Sequence, residues 1–142
     1  MYQRDFILKM IEMLGEFIAG ILGMIKKGDF QQATQALENA YIDFLKQDAA
    51  FFKSIDKDKL TESLINKHNY ANGHLEILAE LFYAEAELLC AKGKIRECIE
   101  FYEKSLLLSM FVEKETKLYS FEKQTKISII QSRLAELKNG VL

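Results

Sequence analysis

Lys27-Gly28-Asp29-Phe30 recurs 65 residues further on as Lys92-Gly93-Lys94-Ile95. At both places a long stretch with helical apolar spacing ends in a Lys-Gly pair and a second such stretch begins directly after it. That is the pattern of a helix stopped by a left-handed glycine and followed at once by another helix. The likeness continues past the turn, with Ala33 standing against Cys98, Leu37 against Tyr102 and Ala40 against Ser105. Each pair keeps a size class. A small residue five positions after the glycine lets two antiparallel helices approach closely, and a large residue four positions later fills the space between them. The chain therefore reads as all-α, built from two units of helix, Gly turn and helix.

Working outward from these turns, apolar periodicity and capping signals divide the chain into five long helices and one shorter one. The first is expected over about Tyr2–Lys27, with Gly28 after it. The second opens at Asp29, whose spacing to Gln32 predicts a capping box, and buries Phe30, Ala33, Leu37, Ala40, Tyr41, Phe44 and Leu45 before ending near Gln47. Residues 48–72 are less regular. Asp56 is expected to cap a short helix containing Leu60, Leu64 and Ile65, and Asn66–Gly73 reads as a loop. A fourth helix runs from Gly73 or His74 to Gly93, a fifth from Lys94 to about Glu113 with Ile95, Cys98, Ile99, Tyr102 and Leu106 inward, and a last from about Ser120 to Lys138, stopping at Asn139-Gly140.

Composition agrees with one domain, residues 1–142, of antiparallel helical hairpins. There is no proline and glycine numbers seven, so breakers are scarce and long helices are favoured. A chain of this size buries roughly two thirds of its unfolded surface and needs no disulfide or metal staple. Nineteen basic residues against 21 acidic ones give a net charge of −2, without a Lys/Arg cluster, which argues against nucleic acid as a partner. Phe6–Ile25 is apolar enough to raise a membrane helix, but Lys9, Glu12 and Glu16 interrupt it at a cost of roughly 2–3 kcal/mol each near a bilayer centre. No membrane partner is expected, the same charges spoil a signal peptide, and the reading is a cytoplasmic protein. Cys90 and Cys98 have no metal-site spacing and read as buried free thiols.

The second unit resembles a tetratricopeptide repeat (TPR). Phe82, Ala86, Gly93, Ile95, Cys98, Tyr102 and Ser105 fall where that motif places an aromatic, a small residue, the turn glycine, a hydrophobe, a small residue, an aromatic and a small residue. The resemblance covers about half of the chain and departs from the motif in lacking a closing proline, in Ile21 and Glu85 at places usually small and leucine-like, and in the 65-residue offset. The opening Tyr2-Gln3-Arg4-Asp5-Phe6-Ile7-Leu8-Lys9-Met10-Ile11 is similar to the start of an uncharacterised bacterial family of small TPR-like helical proteins. Together these resemblances imply a TPR-like bundle of five to six helices and a bacterial origin, and they supply no activity and no catalytic residues.

Chemistry-bearing motifs are scarce. No GxSxG, phosphate loop or dinucleotide fingerprint occurs, so no enzyme activity and no cofactor are expected. His68 and His74 stand six apart without an HxxxH or HExxH pair, which reads as loop packing and capping rather than a metal site.

Helix faces say more. Asp5, Lys9, Glu12, Glu16, Gly20, Gly23 and Lys27 form one narrow stripe on an otherwise apolar first helix, which must be covered on several sides. Neighbouring helices supply that cover, or the helix completes a homodimer in which Gly20 and Gly23 allow close approach. The fourth helix carries two apolar faces, Leu75, Leu78, Ala79, Phe82, Ala86 and Leu89 on one and Ile77, Leu81, Ala84 and Leu88 on the other. Between them runs a strip of Glu76, Glu80, Tyr83 and Glu87, while Glu85 falls outside it and is expected to pair with a Lys or Arg. In the resembling repeats the first helix of each pair lines a groove, and Glu80, Tyr83 and Glu87 match its groove-facing places; helical spacing adds Glu76, so Glu76, Glu80, Tyr83 and Glu87 are the expected place where a protein or peptide partner binds. A basic peptide would gain charge-assisted hydrogen bonds there and a cation over the Tyr83 ring. The competing expectations are a solvated strip with no partner and a structural homo-oligomer joined through the first helix.

Overall fold

The computed structural model describes residues 2–117 and 120–141, with side chains described from Lys9 to Lys117 and from Ser120 to Gly140. The elements in order are α1 (Tyr2–Lys26), α2 (Phe30–Leu45), α3 (Ala49–Lys53), a 3-10 turn (Lys57–Lys59), α4 (Leu60–Glu62), a π turn (Ser63–Lys67), α5 (Asn72–Ala91), α6 (Ile95–Thr116) and α7 (Phe121–Val141). No strand occurs among the described residues, so the all-α class holds, and the five long helices are those expected.

Both Gly turns have one construction. Gly28 takes φ +83° and Gly93 φ +81°. Gly28 N–H donates to Ile25 O at 3.0 Å and Asp29 N–H to Met24 O at 2.9 Å, while Gly93 N–H donates to Cys90 O at 3.0 Å and Lys94 N–H to Leu89 O at 2.9 Å. These paired bonds satisfy the last carbonyls of the preceding helix, the Schellman arrangement. A Cβ on either glycine would meet nothing within 4 Å, so backbone sign alone requires glycine there. The expected capping box is not formed: Asp29 makes no side-chain cap bond. Its N–H is already engaged by Met24, which leaves Gln32 nothing to reach back for.

The size-matched pairs lie where the helices meet. Ala33, Leu37, Ala40, Cys98, Tyr102 and Ser105 are all buried, and Ser105 Oγ donates to Ala79 O at 2.8 Å, a contact that needs α5 and α6 close together. α5 is the central element and packs on α6, α1 and α2. It can do so because both of its apolar faces are used: Leu75, Leu78, Phe82 and Ala86 are buried, and so are Ile77, Leu81, Ala84 and Leu88. At roughly 1.5–3 kcal/mol for each large aliphatic or aromatic side chain taken from water, this helix dominates the favourable burial. Residues of all five long helices join one contiguous buried cluster.

α1 is covered by α2 and α5 through Leu14, Ile18 and Ile21. Its polar stripe is outward at Lys9, Glu12, Glu16 and Gly20, while the side chain of Asp5 lies outside the described residues. Several boundaries differ from expectation. The irregular stretch contains α3, started by Asp48, whose Oδ1 accepts from Phe51 N–H at 2.9 Å. α6 continues to Thr116 because Val112 is still buried and Lys117 closes the helix in the left-handed conformation. α7 runs through Asn139 and Gly140, since no left-handed turn forms at that glycine.

Candidate functional site

Steps of four, three and four residues place Glu76, Glu80, Tyr83 and Glu87 on one line of α5. All four are half-buried, and their cover is α7. Lys123 Nζ lies 2.7 Å from Glu76 Oε1, Lys126 Nζ 2.5 Å from Glu80 Oε2, and Arg133 Nη1 3.1 Å from Glu87 Oε2. Because the pairs advance in the same order along both helices, α7 runs parallel to α5, with α6 returning between them. The cation over Tyr83 exists within the chain: Lys126 Nζ stands 4.7 Å from the ring centroid.

Glu87 is the most heavily bonded member. Tyr83 Oη donates to its Oε1 at 3.0 Å, and Tyr102 Oη, from α6, donates to its Oε2 beside Arg133. Burial first, and then the Glu87 carboxylate, push the Tyr83 phenol up to about 12. Burial and the Glu87 bond likewise hold the Tyr102 phenol well above the ordinary tyrosine range. Both tyrosines thus remain neutral donors, and they orient the carboxylate independently of α7.

A half-enclosed groove of about 470 Å³ lies beside this seam, between α1, α5, α6 and α7. Ile11 and Gly15 form its α1 wall, Glu76 and Glu80 its α5 wall, and Lys123 and Lys126 its α7 wall. A Cβ on Gly15 would meet nothing within 4 Å, so the glycine leaves that wall open.

Glu85 sits apart from the strip. It is 4% exposed and pairs with Lys53 of α3, whose Nζ is 3.0 Å from Oε1. Lys104, also buried, donates to Lys53 O at 3.3 Å, pairs with Glu100 at 3.3 Å, and lies 5.2 Å from the Phe101 ring centroid. The two histidines serve local packing. His68 meets the edge of Phe51 with centroids 4.9 Å apart, and His74 Nδ1 accepts from Ala71 N–H at 3.0 Å, starting α5 one or two residues earlier than expected. Among the described residues no group of three His, Cys, Asp or Glu side chains is placed to hold a metal ion. Cys98 is buried and Cys90 half-buried, both free; burial, then its contact with Cys90, pushes the Cys98 thiol well above the ordinary range. Among those residues no helix is long and apolar enough to cross a membrane.

The sequence reading gives Lys123, Lys126 and Arg133 no role, and it places Tyr102 in the core and not at this site. A signal for the first three was present, because offsets of three and seven residues bring them to one face of a helix. What was missing was the direction of α7 relative to α5. In comparisons of this chain with protein-family models, curated proteins and solved structures, nothing matches.

Proposed function

We propose that this chain is a non-enzymatic protein-interaction module of TPR-like helical pairs, α1 with α2 and α5 with α6, closed by α7. It presents the groove between α1, α5 and α7 to a peptide or protein partner in a bacterial cytoplasm. The observation that carries the reading is the groove itself: about 470 Å³, with carboxylates on the α5 wall, lysines on the α7 wall and a glycine on the α1 wall. A glycine inside a helix costs about 1 kcal/mol relative to alanine. Gly15 lines the groove and an added Cβ there would meet nothing within 4 Å, so the α1 wall is open at that point.

The reading is tested by Gly15→Leu, which fills the groove from α1 and leaves every ion pair of α5 untouched. Partners retained by the parent chain from native lysate, identified by mass spectrometry, should be lost by the variant at an unchanged or higher melting temperature. An identical partner set on both proteins would overturn the groove. Charge reversal at Glu80 and Glu87 is unsuitable for this purpose, because the same carboxylates hold α7.

A second reading, a homo-oligomer joined through α1, is favoured by Met13 and Gly20, which are seven residues apart and exposed on one line of that helix. Light scattering of the purified chain separates the two, since the oligomer gives a multiple of 16.4 kDa without any added partner.

A further inference from the structure

The strip expected to receive a basic peptide already carries cations, and they come from α7 of the same chain. Glu76, Glu80 and Glu87 each meet one α7 cation, in register, and Tyr83 lies under Lys126. We propose that α7 is a built-in occupant of this strip, standing where a basic amphipathic helix of a partner docks, so that the partner binds by displacing it. The inference rests on the interaction-module reading and not on the groove: a displaced α7 takes its groove wall with it, so the partner helix lies where α7 lay, on α5 and α6.

Three observations carry it. The receptor side is assembled without α7: Glu87 is held by Tyr83 of its own helix and Tyr102 of α6, so the carboxylate keeps its orientation when the cation leaves. The occupant side is lightly held. α7 buries Ile127, Ile130 and Leu134 among its described side chains, against ten buried residues on α5, and leaves Phe121 76% and Ile129 46% exposed. It packs on α6, where half-buried Leu137 meets the core, Lys138 pairs with Glu103 at 3.1 Å and Gln124 donates to Glu113, and it reaches α5 chiefly through its long cations, whose side chains are 32%, 33% and 40% exposed. Ion pairs of that exposure are weak individually, and a helix with few buried apolar side chains belongs to the part of a fold that opens first. Finally, the occupant has a readable pattern. Its cations fall at offsets 0, 3 and 10 (Lys123, Lys126, Arg133), and its buried apolar residues at offsets 4, 7 and 11 (Ile127, Ile130, Leu134). A competing helix needs the same two adjacent stripes, which names its class without naming a protein.

The probe is a fluorescent synthetic peptide of residues 120–141, titrated by anisotropy into the full chain and into the full-length variant Lys123→Glu/Lys126→Glu/Arg133→Glu. In the parent, tethered α7 competes at the high effective concentration of an intramolecular ligand, so the peptide should bind at least about tenfold more weakly than it does to the variant. In the variant, hydrogen exchange of α7 amides should accelerate while α5 and α6 stay protected. A peptide bearing the same three Glu substitutions should lose the gain.

Unchanged α7 protection in the variant, with or without peptide binding, overturns the displacement proposal, because the ladder then does not hold the helix. Released α7 with no gain in peptide binding overturns the strip as a receptor for a basic helix, and leaves the groove to its own Gly15→Leu test. Should the triple reversal fail to fold, Lys126→Gln/Arg133→Gln, which removes charge without repulsion, should give the same two changes at about threefold, and their absence there overturns the proposal.

Discussion

Tyr41 is fully buried, and its hydroxyl lies near the Glu85 carboxylate without a hydrogen bond of ordinary length and angle to any described residue. Burial, and then the nearby Glu85 carboxylate, push that phenol well above its ordinary range. An unsatisfied buried hydroxyl costs stability, whereas removing it with the ring kept is nearly neutral or better. Tyr41→Phe should therefore leave the urea midpoint unchanged or raise it by up to about 1 kcal/mol equivalent, and a clear fall would show the hydroxyl to be bonded. His74 makes a second prediction. Burial holds its pKa below the ordinary histidine value, and the neutral ring accepts the Ala71 N–H that begins α5. The unfolded chain thus takes up this proton first. The stabilisation is present above the ordinary pKa of 6.5 and is lost as pH falls through the lower folded value. Melting temperature should drop on going from neutral pH toward pH ~5, and His74→Gln, which does not titrate there, should show a smaller drop.

Among the elements, the glycines divide into two groups with opposite expected responses. Gly93 has φ +81° and Gly28 φ +83°, so alanine at either place must adopt the left-handed region at about 1–2 kcal/mol. Gly20 lies inside α1, where an added Cβ meets nothing within 4 Å. Gly93→Ala should lower stability by about 1–2 kcal/mol, and Gly20→Ala should raise it by about 0.5–1 kcal/mol, both read from chemical denaturation of the pure chain. If α1 is instead the contact of a homo-oligomer, Gly20→Ala should reduce the mass seen by light scattering as it stabilises the single chain. α3 shows how an element escapes a pattern search. Five residues are too few to display a 3.6-residue period, yet Ala49 and Phe52 are buried and Lys53 supplies the partner of Glu85.

Across the whole molecule, the seam between α5 and α7 makes stability fall on the alkaline side. Tyr83 is pushed from 10.0 up to about 12, by burial and then by Glu87, so the folded state keeps its proton where the unfolded chain has lost it. Its contribution is complete below pH 10 and is lost between about 10 and 12. Tyr102, displaced in the same direction, adds to the effect. Helix content followed by circular dichroism in mild denaturant should decline over that range. The decline should be shallower in Tyr83→Phe, and an identical slope would separate the phenol from the stability of the seam.

Much of this protein is legible along the chain because its causes are local. A positive φ asks for glycine wherever it occurs, so Gly28 and Gly93 mark the two turns before any tertiary contact is known. A helix apolar on two sides has to be central, and the spacing of Leu75, Leu78 and Phe82 against Ile77, Leu81 and Leu88 says so for α5. The line of Glu76, Glu80, Tyr83 and Glu87 follows from the same 3.6-residue geometry. What covers that line does not. Lys123, Lys126 and Arg133 are 46 or 47 residues away in sequence, and they meet the strip because α6 returns the chain so that α7 lies parallel to α5. Likewise, Asp29 has capping-box spacing, but its N–H is taken by Met24, and Glu85 finds Lys53 on a helix too short to announce itself. Periodicity sets which face a residue occupies; the direction and distance of the neighbouring helix, fixed only when all the apolar faces are buried together, decide what that face meets.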